Sequence, residues 1–439
     1  MRPLTLPFQC LVLALSGALL SACGGGGTTA EASSSSPGAT SASSDAAQIA
    51  SATPGVGAST TEQRLQATAV RTPPPTLASV GKQLFNEARL SASGQLACAS
   101  CHVAAQAHAD KAGSFLPVGG LLMDQQGLRS SPSLRYLNGT PAFSIDARGQ
   151  ARGGLFWDGR ANDRVAQARG PLFAANEMAN TDVASYVQRL RTVSAFPDLL
   201  AASGLNAAAS DAQLLDASLQ ALSRYQQQGP EFAPFSSKFD AVQDGRARFS
   251  AQEARGFAAF TDPRKGNCAS CHSASPPPNA PAGARALFTN HGYFALGVPR
   301  NRSAATQNPD FFDLGLCGPQ RSDLGTQASL CGKFRVPSLR NVALTAPYFH
   351  NARFQTLEEV VGFYATRDLD PARWYPVVNG QVQRYNDLPA PYQANVHRGA
   401  PFDRRPGQLP ALSPQDVNDV VALLKTLSDG FQAPVGTAP

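Results

Sequence analysis

The chain is poor in charged side chains, which make up 15% of its 439 residues, against about 25% in an average soluble protein. Its net charge of +6 is spread along the sequence and includes no basic run that could follow a phosphate backbone. We therefore expect no nucleic-acid partner. Apolar residues account for 43% of the chain, which is enough to bury a core and excludes a wholly disordered protein.

The hydrophobic run at the start of the chain is too short to cross a membrane. It follows Arg2 and leads into the tetrapeptide LSAC, a pattern typical of bacterial lipoprotein signals, in which the cysteine is acylated after cleavage. We predict a signal peptide over residues 1–22 and a lipid on Cys23; an ordinary signal peptide with a chance cysteine is the alternative. Gly24 favours the outer membrane. We expect a periplasmic lipoprotein of a Gram-negative bacterium that touches the membrane only through this anchor.

Few large apolar residues occur between residues 23 and 75, where Gly, Ser, Thr, Ala and Pro dominate. Such a segment cannot bury enough apolar surface to fold. We predict a disordered tether between the anchor and the folded part of the chain, which would begin near residue 76.

The chain has only eight cysteines, and each can be assigned. Cys10 and Cys23 belong to the predicted signal and anchor, and four others form two identical Cys-Ala-Ser-Cys-His motifs. In c-type cytochromes the two thiols bind the haem vinyl groups and the histidine is the proximal iron ligand. The motifs therefore predict two covalently bound haem c groups, held by Cys98, Cys101, His102, Cys268, Cys271 and His272.

Other uses of these cysteines fit less well. A zinc ribbon needs Cys pairs about 15–20 residues apart, whereas these motifs are 170 residues apart. A thioredoxin-like dithiol needs a βαβ pattern, and none is visible. Cys317 and Cys331 remain, and an oxidising periplasm would let them form a disulfide.

A helix pattern leads into each haem motif, which indicates an internal duplication. Thr76 can cap the first helix, whose apolar face would be Leu77, Val80 and Leu84. Ser250 and Glu253 form a capping box for the second, whose apolar face would be Ala254, Phe257 and Ala258. A closing helix is predicted from Ser413, with Pro414 at its first position and an apolar face of Val417, Val420, Val421 and Leu424.

We therefore predict a mainly α fold made of two cytochrome c-like domains with long loops, at residues 76–235 and 236–439. The boundary would lie between Gly229 and Phe249, where polar and turn-forming residues interrupt the helical pattern. The long Gly- and Pro-rich loops are expected where haem replaces much of a side-chain core.

Methionine is scarce, and none follows the second haem motif. The local candidates for a sixth ligand there are His291, His350, His397 or a tyrosine. Tyr364 lies on a predicted helix that begins with a Thr356–Glu359 capping box. It shares the apolar face of this helix, and a core tyrosine with a satisfied hydroxyl is the alternative reading.

Two segments resemble the signature of the bacterial dihaem cytochrome c peroxidases: FWDGR at residues 156–160 and KFRVPSLRNVALTAPYFH at residues 333–350. The similarity covers roughly residues 76–430 and includes both haem motifs. In that family a Met that follows the Tyr-Phe-His sequence by fourteen residues ligates the second haem. Here that position is Tyr364, as in the MauG-like branch. The resemblance implies His272 and Tyr364 as ligands of the second iron, and a phenolate favours ferric and higher oxidation states.

The same resemblance implies that peroxide reacts at the first haem, whose iron is bound by His102. The distal Gln, Pro and Glu of the family correspond to Gln167, Pro171 and Glu177, with Glu177 as the acid and base. Without the family these residues would pass for polar residues on helix surfaces. Residues 111–135, where many relatives carry a distal histidine, contain none. We expect His108 to be a pocket-wall or surface residue, and the first haem to be ready for peroxide at rest.

The family also places a tryptophan between the haems and a calcium between the domains. Trp157 matches the tryptophan, for which a plain aromatic core residue is the alternative. Thr345 and Pro347 match two calcium ligands, but Ser130 stands at the position of an asparagine ligand. Asn351 and the following alanine replace the Asp-Gly that is common in relatives.

These observations predict a periplasmic dihaem peroxidase that reduces hydrogen peroxide through high-valent haem states shared between two haems. Its electron donors would be small periplasmic proteins. The first alternative is a MauG-like oxidase that modifies residues of a partner protein, and one chain cannot separate the two. The second is a dihaem electron carrier, which predicts two six-coordinate haems and leaves Glu177 without a role.

Overall fold

The computed structural model describes residues 73–110, 116–301, 308 and 310–433. The predicted signal peptide, the acylated Cys23 and all but the last three residues of the predicted tether lie outside these ranges. Within them, no helix is both long enough and apolar enough to span a membrane.

Helices predominate, as predicted. The α-helices are α1 Leu77–Phe85, α2 Cys98–Cys101, α3 Arg164–Phe173, α4 Val183–Leu190, α5 Phe196–Ser203, α6 Asp211–Gln228, α7 Lys238–Gln243, α8 Ala251–Thr261, α9 Leu357–Thr366, α10 Pro371–Trp374 and α11 Pro414–Lys425. The strands are β1 Val118–Gly119, β2 Gln125–Gln126, β3 Ser144–Ile145, β4 Ala151–Arg152, β5 Tyr293–Phe294, β6 Phe334–Arg335, β7 Val377–Val378 and β8 Gln381–Val382.

The strands form four short antiparallel pairs. Three of these pairs, β1–β2, β3–β4 and β7–β8, are local hairpins. The fourth joins β5 to β6 across the sequence, with Tyr293 opposite Arg335 and Phe294 opposite Phe334. Such short ladders contribute little core, so they serve to fix loops around the helices.

Helices α1 and α6 form the centre of a first hydrophobic core, whose buried residues run from Val80 to Phe232. Thr76 caps α1, as predicted, and Val80 and Leu84 are buried. The two helices approach closely at Gly81, where a Cβ would overlap the carbonyl oxygen of Ala221. A glycine is therefore required where α1 passes α6.

Helices α8 and α11 form the corresponding contact in a second core, whose buried residues run from Phe239 to Leu427. The caps at Ser250 and Ser413 are present, as predicted. The predicted apolar face of α8 is wrong, because Ala254 and Ala258 are exposed. Its buried residues are instead Gly256, Ala259 and Phe260, since α8 turns the glycine toward α11, where a Cβ would overlap the carbonyl oxygen of Asp419.

Several helices were not predicted from the sequence, and α6 and α7 are the two that matter most for the cores. The longest, α6, begins at an N-cap of Ser210 with a capping box to Gln213 and buries one side against α1. Helix α7 lies inside the interval where the domain boundary is predicted, and Ser237 caps it. Asp240 of α7 forms a buried ion pair with Arg340. Nη1 of the arginine donates to Oδ2 of the aspartate at 2.8 Å, and Nη2 donates to Oδ1 at 3.0 Å. The part of this interval that forms α7 therefore belongs to the second core, whereas Phe232 belongs to the first.

Cys317 and Cys331 form a disulfide in the structure, with Cα atoms 4.9 Å apart. They lie beside a small third cluster of buried apolar residues that includes Tyr293, Leu316 and Leu330. The bond closes a loop between residues 317 and 331 that packs on β5.

Candidate functional site

The first haem motif opens onto a cavity in the first half of the chain, with about 1290 Å³ of empty space including its open mouth. Cys98, Cys101 and His102 all line it. Both cysteines are free thiols in the structure. The residues present therefore fit a haem c group.

The orientation of His102 suits an iron ligand. Its Nδ1 lies 3.0 Å from the carbonyl oxygen of His108, and because a carbonyl only accepts, Nδ1 must donate. The other ring nitrogen, Nε2, then keeps its lone pair for a metal. Burial lowers the pKa of His102, which keeps the imidazole neutral.

The prediction that His108 is a pocket-wall or surface residue is wrong. The residue is buried and does not line the first cavity. Its side chain is buried and stacks on Phe232, with ring centroids 4.4 Å apart. Phe85 meets the same ring edge-on at 6.1 Å. Burial lowers the pKa of His108 to about 4. The residue therefore acts through its backbone carbonyl, which orients His102.

The same cavity is lined by Gln167, Pro171 and Glu177, the three residues that the resemblance implied for peroxide chemistry. Gln167 and Pro171 are four residues apart on α3, so they share one face of this helix. Glu177 follows α3, and its backbone carbonyl accepts a hydrogen bond from Gly120 at 2.8 Å. The β1–β2 hairpin therefore fixes the position of Glu177.

Neither Gln167 nor Glu177 has a side-chain hydrogen-bond partner among the described residues. Burial raises the pKa of the Glu177 carboxyl, and the positive charge of Arg160 opposes this shift. A buried carboxyl with a raised pKa is suited to exchange protons near neutral pH. Met178 lines the cavity as well, which places a thioether beside Glu177.

The second haem motif opens onto a separate cavity with about 1510 Å³ of empty space, again including its mouth. Cys268, Cys271 and His272 line it. The Nδ1 of His272 lies 3.0 Å from the carbonyl oxygen of Phe288, and burial lowers the pKa of His272 to about 4. At Gly266 a Cβ would lie 2.9 Å from the Cys268 sulfur, so this glycine leaves room for the thiol. A haem c group fits here too.

Tyr364 lines this second cavity and lies on α9, which begins at the predicted capping box of Thr356 and Glu359. Its ring is surrounded by Phe349 at 6.2 Å, Phe402 at 5.2 Å and Phe363 at 6.2 Å. Its hydroxyl has no hydrogen-bond partner among the described residues, unlike a core tyrosine with a satisfied hydroxyl. Burial raises the pKa of Tyr364, so the phenol keeps its proton unless a bound cation replaces it.

The three histidine candidates for the second haem lie in different places. His291 is buried and does not line the second cavity, and its Nδ1 has no partner in the described structure. His350 and His397 both line the cavity. The ring of His350 stacks on Phe334 with centroids 3.5 Å apart, and that of His397 meets Phe294 edge-on at 5.3 Å. The cavity wall therefore offers two histidines besides Tyr364.

Trp157 contributes to the walls of both haem cavities. Its Nε1 donates to the carbonyl oxygen of Ser130 at 2.9 Å, and its ring meets His350 edge-on at 6.5 Å. The indole is therefore held at the junction of the two cavities, as expected of a residue that connects them.

A third, smaller cavity is lined by Ser130, Thr345 and Pro347, together with Trp157. Thr345 and Pro347, which match two calcium ligands of the family, therefore meet Ser130, which replaces the asparagine ligand, in one place. The hydroxyl of Ser130 donates to the carbonyl oxygen of Phe349 at 2.8 Å. Among the described residues no group of three or more His, Cys, Asp and Glu side chains could hold a metal ion.

Comparison with known proteins identifies the class. The family model for di-haem cytochrome c peroxidase matches residues 75–248. The chain is 38% identical over 298 residues to the methylamine utilization protein MauG of Paracoccus denitrificans, covering 66% of this chain and 74% of that protein. The chain belongs to the di-haem cytochrome c peroxidase family and is an oxidoreductase of this class. Family membership implies two haem groups.

Two further relatives support the same assignment. Cytochrome-c peroxidase IdrP1 of Denitromonas iodatirespirans is 30% identical over 304 residues, which cover 65% of this chain and 71% of that protein. The crystal structure of the diheme peroxidase BthA from Burkholderia thailandensis E264 is similar, with a TM-score of 0.74 and 38% identity. The match covers 82% of this chain and 88% of that chain.

Proposed function

We propose that this protein reduces hydrogen peroxide with two covalently bound haem c groups that have different tasks. The observation that carries the proposal is the first cavity, where a Cys-x-x-Cys-His motif faces Gln167 and Glu177. A plain electron carrier needs no carboxyl opposite its haem attachment site. Bound haem would supply the electrons that peroxide takes up, and the protein would supply attachment, proton transfer and a route between the sites.

Glu177 is the proton-transferring group in this proposal. Its carboxylate takes the proton from one oxygen of hydrogen peroxide and returns it to the oxygen that leaves as water. Gln167 orients the peroxide through its side-chain amide. Both side chains lack protein partners in the described structure, which supports their availability to a bound ligand.

Tyr364 would hold the second iron together with His272, since both line the second cavity. A phenolate is a hard anionic donor that favours oxidised iron, so this second site would hold oxidising equivalents. Its hydroxyl, which has no hydrogen-bond partner in the described structure, lies on the wall of the second cavity and supports this role. Trp157 would carry electrons between the sites.

A MauG-like activity is the second candidate, in which the oxidising equivalents act on residues of a partner protein. It is favoured by Tyr364 and by the 38% identity to MauG of Paracoccus denitrificans. In either case the partners are hydrogen peroxide and an electron donor or protein substrate.

We further propose a periplasmic protein that is anchored to the outer membrane through a lipid on Cys23 and folded as two cytochrome domains. Thr345 and Pro347 would mark a calcium site.

The test compares peroxide reaction rates of haem-loaded wild type and Glu177→Gln by stopped-flow absorption. Loss of the acid and base should slow the reaction by about 10²–10⁴-fold while haem content stays unchanged. A rate equal to that of the wild type would contradict the role of Glu177. Met178→Leu is the matched control, because it alters the neighbouring side chain without removing a carboxyl. If Met178 ligated the first iron, this variant would react faster than the wild type.

A further inference from the structure

Arg160 is a charged group of the first cavity that the peroxide chemistry described above does not use. It ends the FWDGR segment and lines the cavity with His102, Gln167 and Glu177. Its Nη1 donates to both carboxylate oxygens of Asp158, at 2.9 and 3.0 Å. The guanidinium also lies 3.5 Å from the centroid of the Phe156 ring. These contacts hold the side chain in one orientation.

The remaining donors of this guanidinium are available. Nε and Nη2 have no acceptor within the described parts of the chain, and 23% of the side chain is exposed. An arginine presents its donors in a rigid fork that suits anions. A cation with two uncommitted donors on the wall of a cavity is therefore a ready site for an anion.

Asp158 is shared between Arg160 and a second arginine. Asp158 is completely buried and accepts a 2.6 Å hydrogen bond from Arg129. Arg129 in turn binds both oxygens of Asp313, at 2.6 and 2.7 Å. Asp313 lines the second cavity. A chain of alternating buried charges thus runs from the second cavity to the first and ends in Arg160.

We propose that Arg160 is a further catalytic residue of the first cavity, which binds the hydroperoxide anion formed when Glu177 takes a proton from hydrogen peroxide. The step is balanced: hydrogen peroxide and the Glu177 carboxylate become hydroperoxide and the Glu177 carboxylic acid. The same proton is later returned to the leaving oxygen. This inference rests on the proposed function, since it assumes that peroxide enters the first cavity.

The electrostatics of the cavity agree with this geometry. Burial raises the pKa of Glu177, and the charge of Arg160 opposes the rise. The arginine therefore favours the carboxylate before the proton transfer and the hydroperoxide after it. One cation would serve both states, because the negative charge moves between two positions in the same cavity.

The test uses two ligands of the first haem that differ in charge. Fluoride binds to ferric haem as an anion and carbon monoxide binds to ferrous haem as a neutral molecule. Haem-loaded wild type, Arg160→Gln and Arg160→Lys are titrated with each. For Arg160→Gln we expect fluoride affinity to fall by about tenfold or more, with carbon monoxide affinity unchanged. Arg160→Lys keeps the charge and should recover part of the fluoride affinity.

Arg169→Gln is the matched control. Arg169 lies on α3 with its guanidinium 5.3 Å from the centroid of the Phe173 ring. It is exposed and does not line the first cavity. This variant should bind both ligands as the wild type does. Equal fluoride affinity in Arg160→Gln and wild type would overturn the role of Arg160. An equal loss of affinity for fluoride and for carbon monoxide would also overturn it, because a neutral ligand should not sense the charge and the effect would be merely structural.

The proposed function fails in a different way. If wild-type protein binds neither fluoride nor carbon monoxide at the first haem, peroxide has no access there and both proposals are contradicted. If wild type binds both ligands and the Arg160 variants bind them with the same affinity, the peroxidase proposal stands but the role of Arg160 is contradicted. If Arg160→Gln does not accumulate as folded protein, Arg160→Lys against wild type still decides, because identical fluoride-band positions would contradict direct contact with the anion.

Discussion

In the first half of the chain α1 passes α6 where Gly81 lies against the Ala221 carbonyl, and in the second half α8 passes α11 where Gly256 lies against the Asp419 carbonyl. Each half then orients its motif histidine through a backbone carbonyl 3.0 Å from Nδ1. The two cavities differ in the other side chains that line them. The scaffold and the attachment residues are therefore repeated, while the chemistry is set by a few residues outside the repeat.

The wall of the first cavity carries polar and charged side chains with uncommitted hydrogen-bonding groups, whereas aromatic rings surround Tyr364 in the second cavity. Gln167, Glu177 and Arg160 line the first. In the second, Tyr364 lies among Phe349, Phe363 and Phe402. A polar wall can exchange protons with a small ligand, and an aromatic wall excludes water around a fixed ligand.

The largest expected effect comes from changing Tyr364, the proposed ligand of the second iron. Tyr364→Phe takes away the hydroxyl, which has no hydrogen-bond partner in the described structure, so the fold should be preserved. The second iron should then bind azide at least about 100-fold more tightly, a difference of about 2.7 kcal/mol. Azide titration followed by electron paramagnetic resonance measures this.

His350 and His397 supply the controls for that experiment. If one of them were the true ligand, His350→Phe or His397→Phe would open the second haem to azide, and Tyr364→Phe would bind azide as weakly as the wild type. That outcome would contradict the assignment of Tyr364.

A smaller effect is expected from the feature that the two halves share. Gly81→Ala and Gly256→Ala each place a methyl group against a helix carbonyl, so the helices must move apart. We expect each to lower the free energy of unfolding by about 1–3 kcal/mol, measured by denaturant unfolding of haem-loaded protein. Gly362→Ala on α9 is the control, since its Cβ would meet Trp374 no closer than 3.7 Å. It should stabilise the helix by about 0.5–1 kcal/mol. Equal behaviour of all three variants would refute the close crossings.

The smallest expected effect is a change in pH dependence that concerns the first cavity alone. Glu177 must be ionised to accept a proton, and burial raises its pKa. The rate of the peroxide reaction should therefore fall as the pH decreases through this raised pKa. Arg160→Gln removes the opposing charge, so the fall should begin at a higher pH. Stopped-flow rates from acidic to neutral pH measure the shift, and an unchanged profile in the variant would show that the two groups are not coupled.

The sequence was sufficient for the parts that depend on local rules. The caps at Thr76, Ser250 and Ser413 and the helix that carries Tyr364 were predicted because capping and apolar spacing act over a few residues. The buried face of α8 was predicted wrongly, because its orientation depends on Gly256 and on a partner helix far along the chain. Local apolar spacing carries no information about such a close crossing.

The errors at the site have a similar cause. His108 was expected at a pocket wall or surface, but its ring is enclosed by Phe85 and Phe232, which are distant in sequence. Arg160 was noticed only as part of a family segment, because its role depends on Asp158, Arg129 and Asp313 meeting in space. Buried networks of charge from distant segments leave no periodic signal in a sequence.

The most direct test of the central claim, that the first site reacts and the second stores, is a peroxide titration of the diferric, haem-loaded protein. One equivalent of hydrogen peroxide is added, and the visible and near-infrared spectrum is followed from milliseconds to minutes. We predict that the signals of both haems change together in wild type, and that the signal of the second haem stays unchanged in Glu177→Gln over the same time. A change confined to the first haem in wild type, or no change at either haem, would contradict the account.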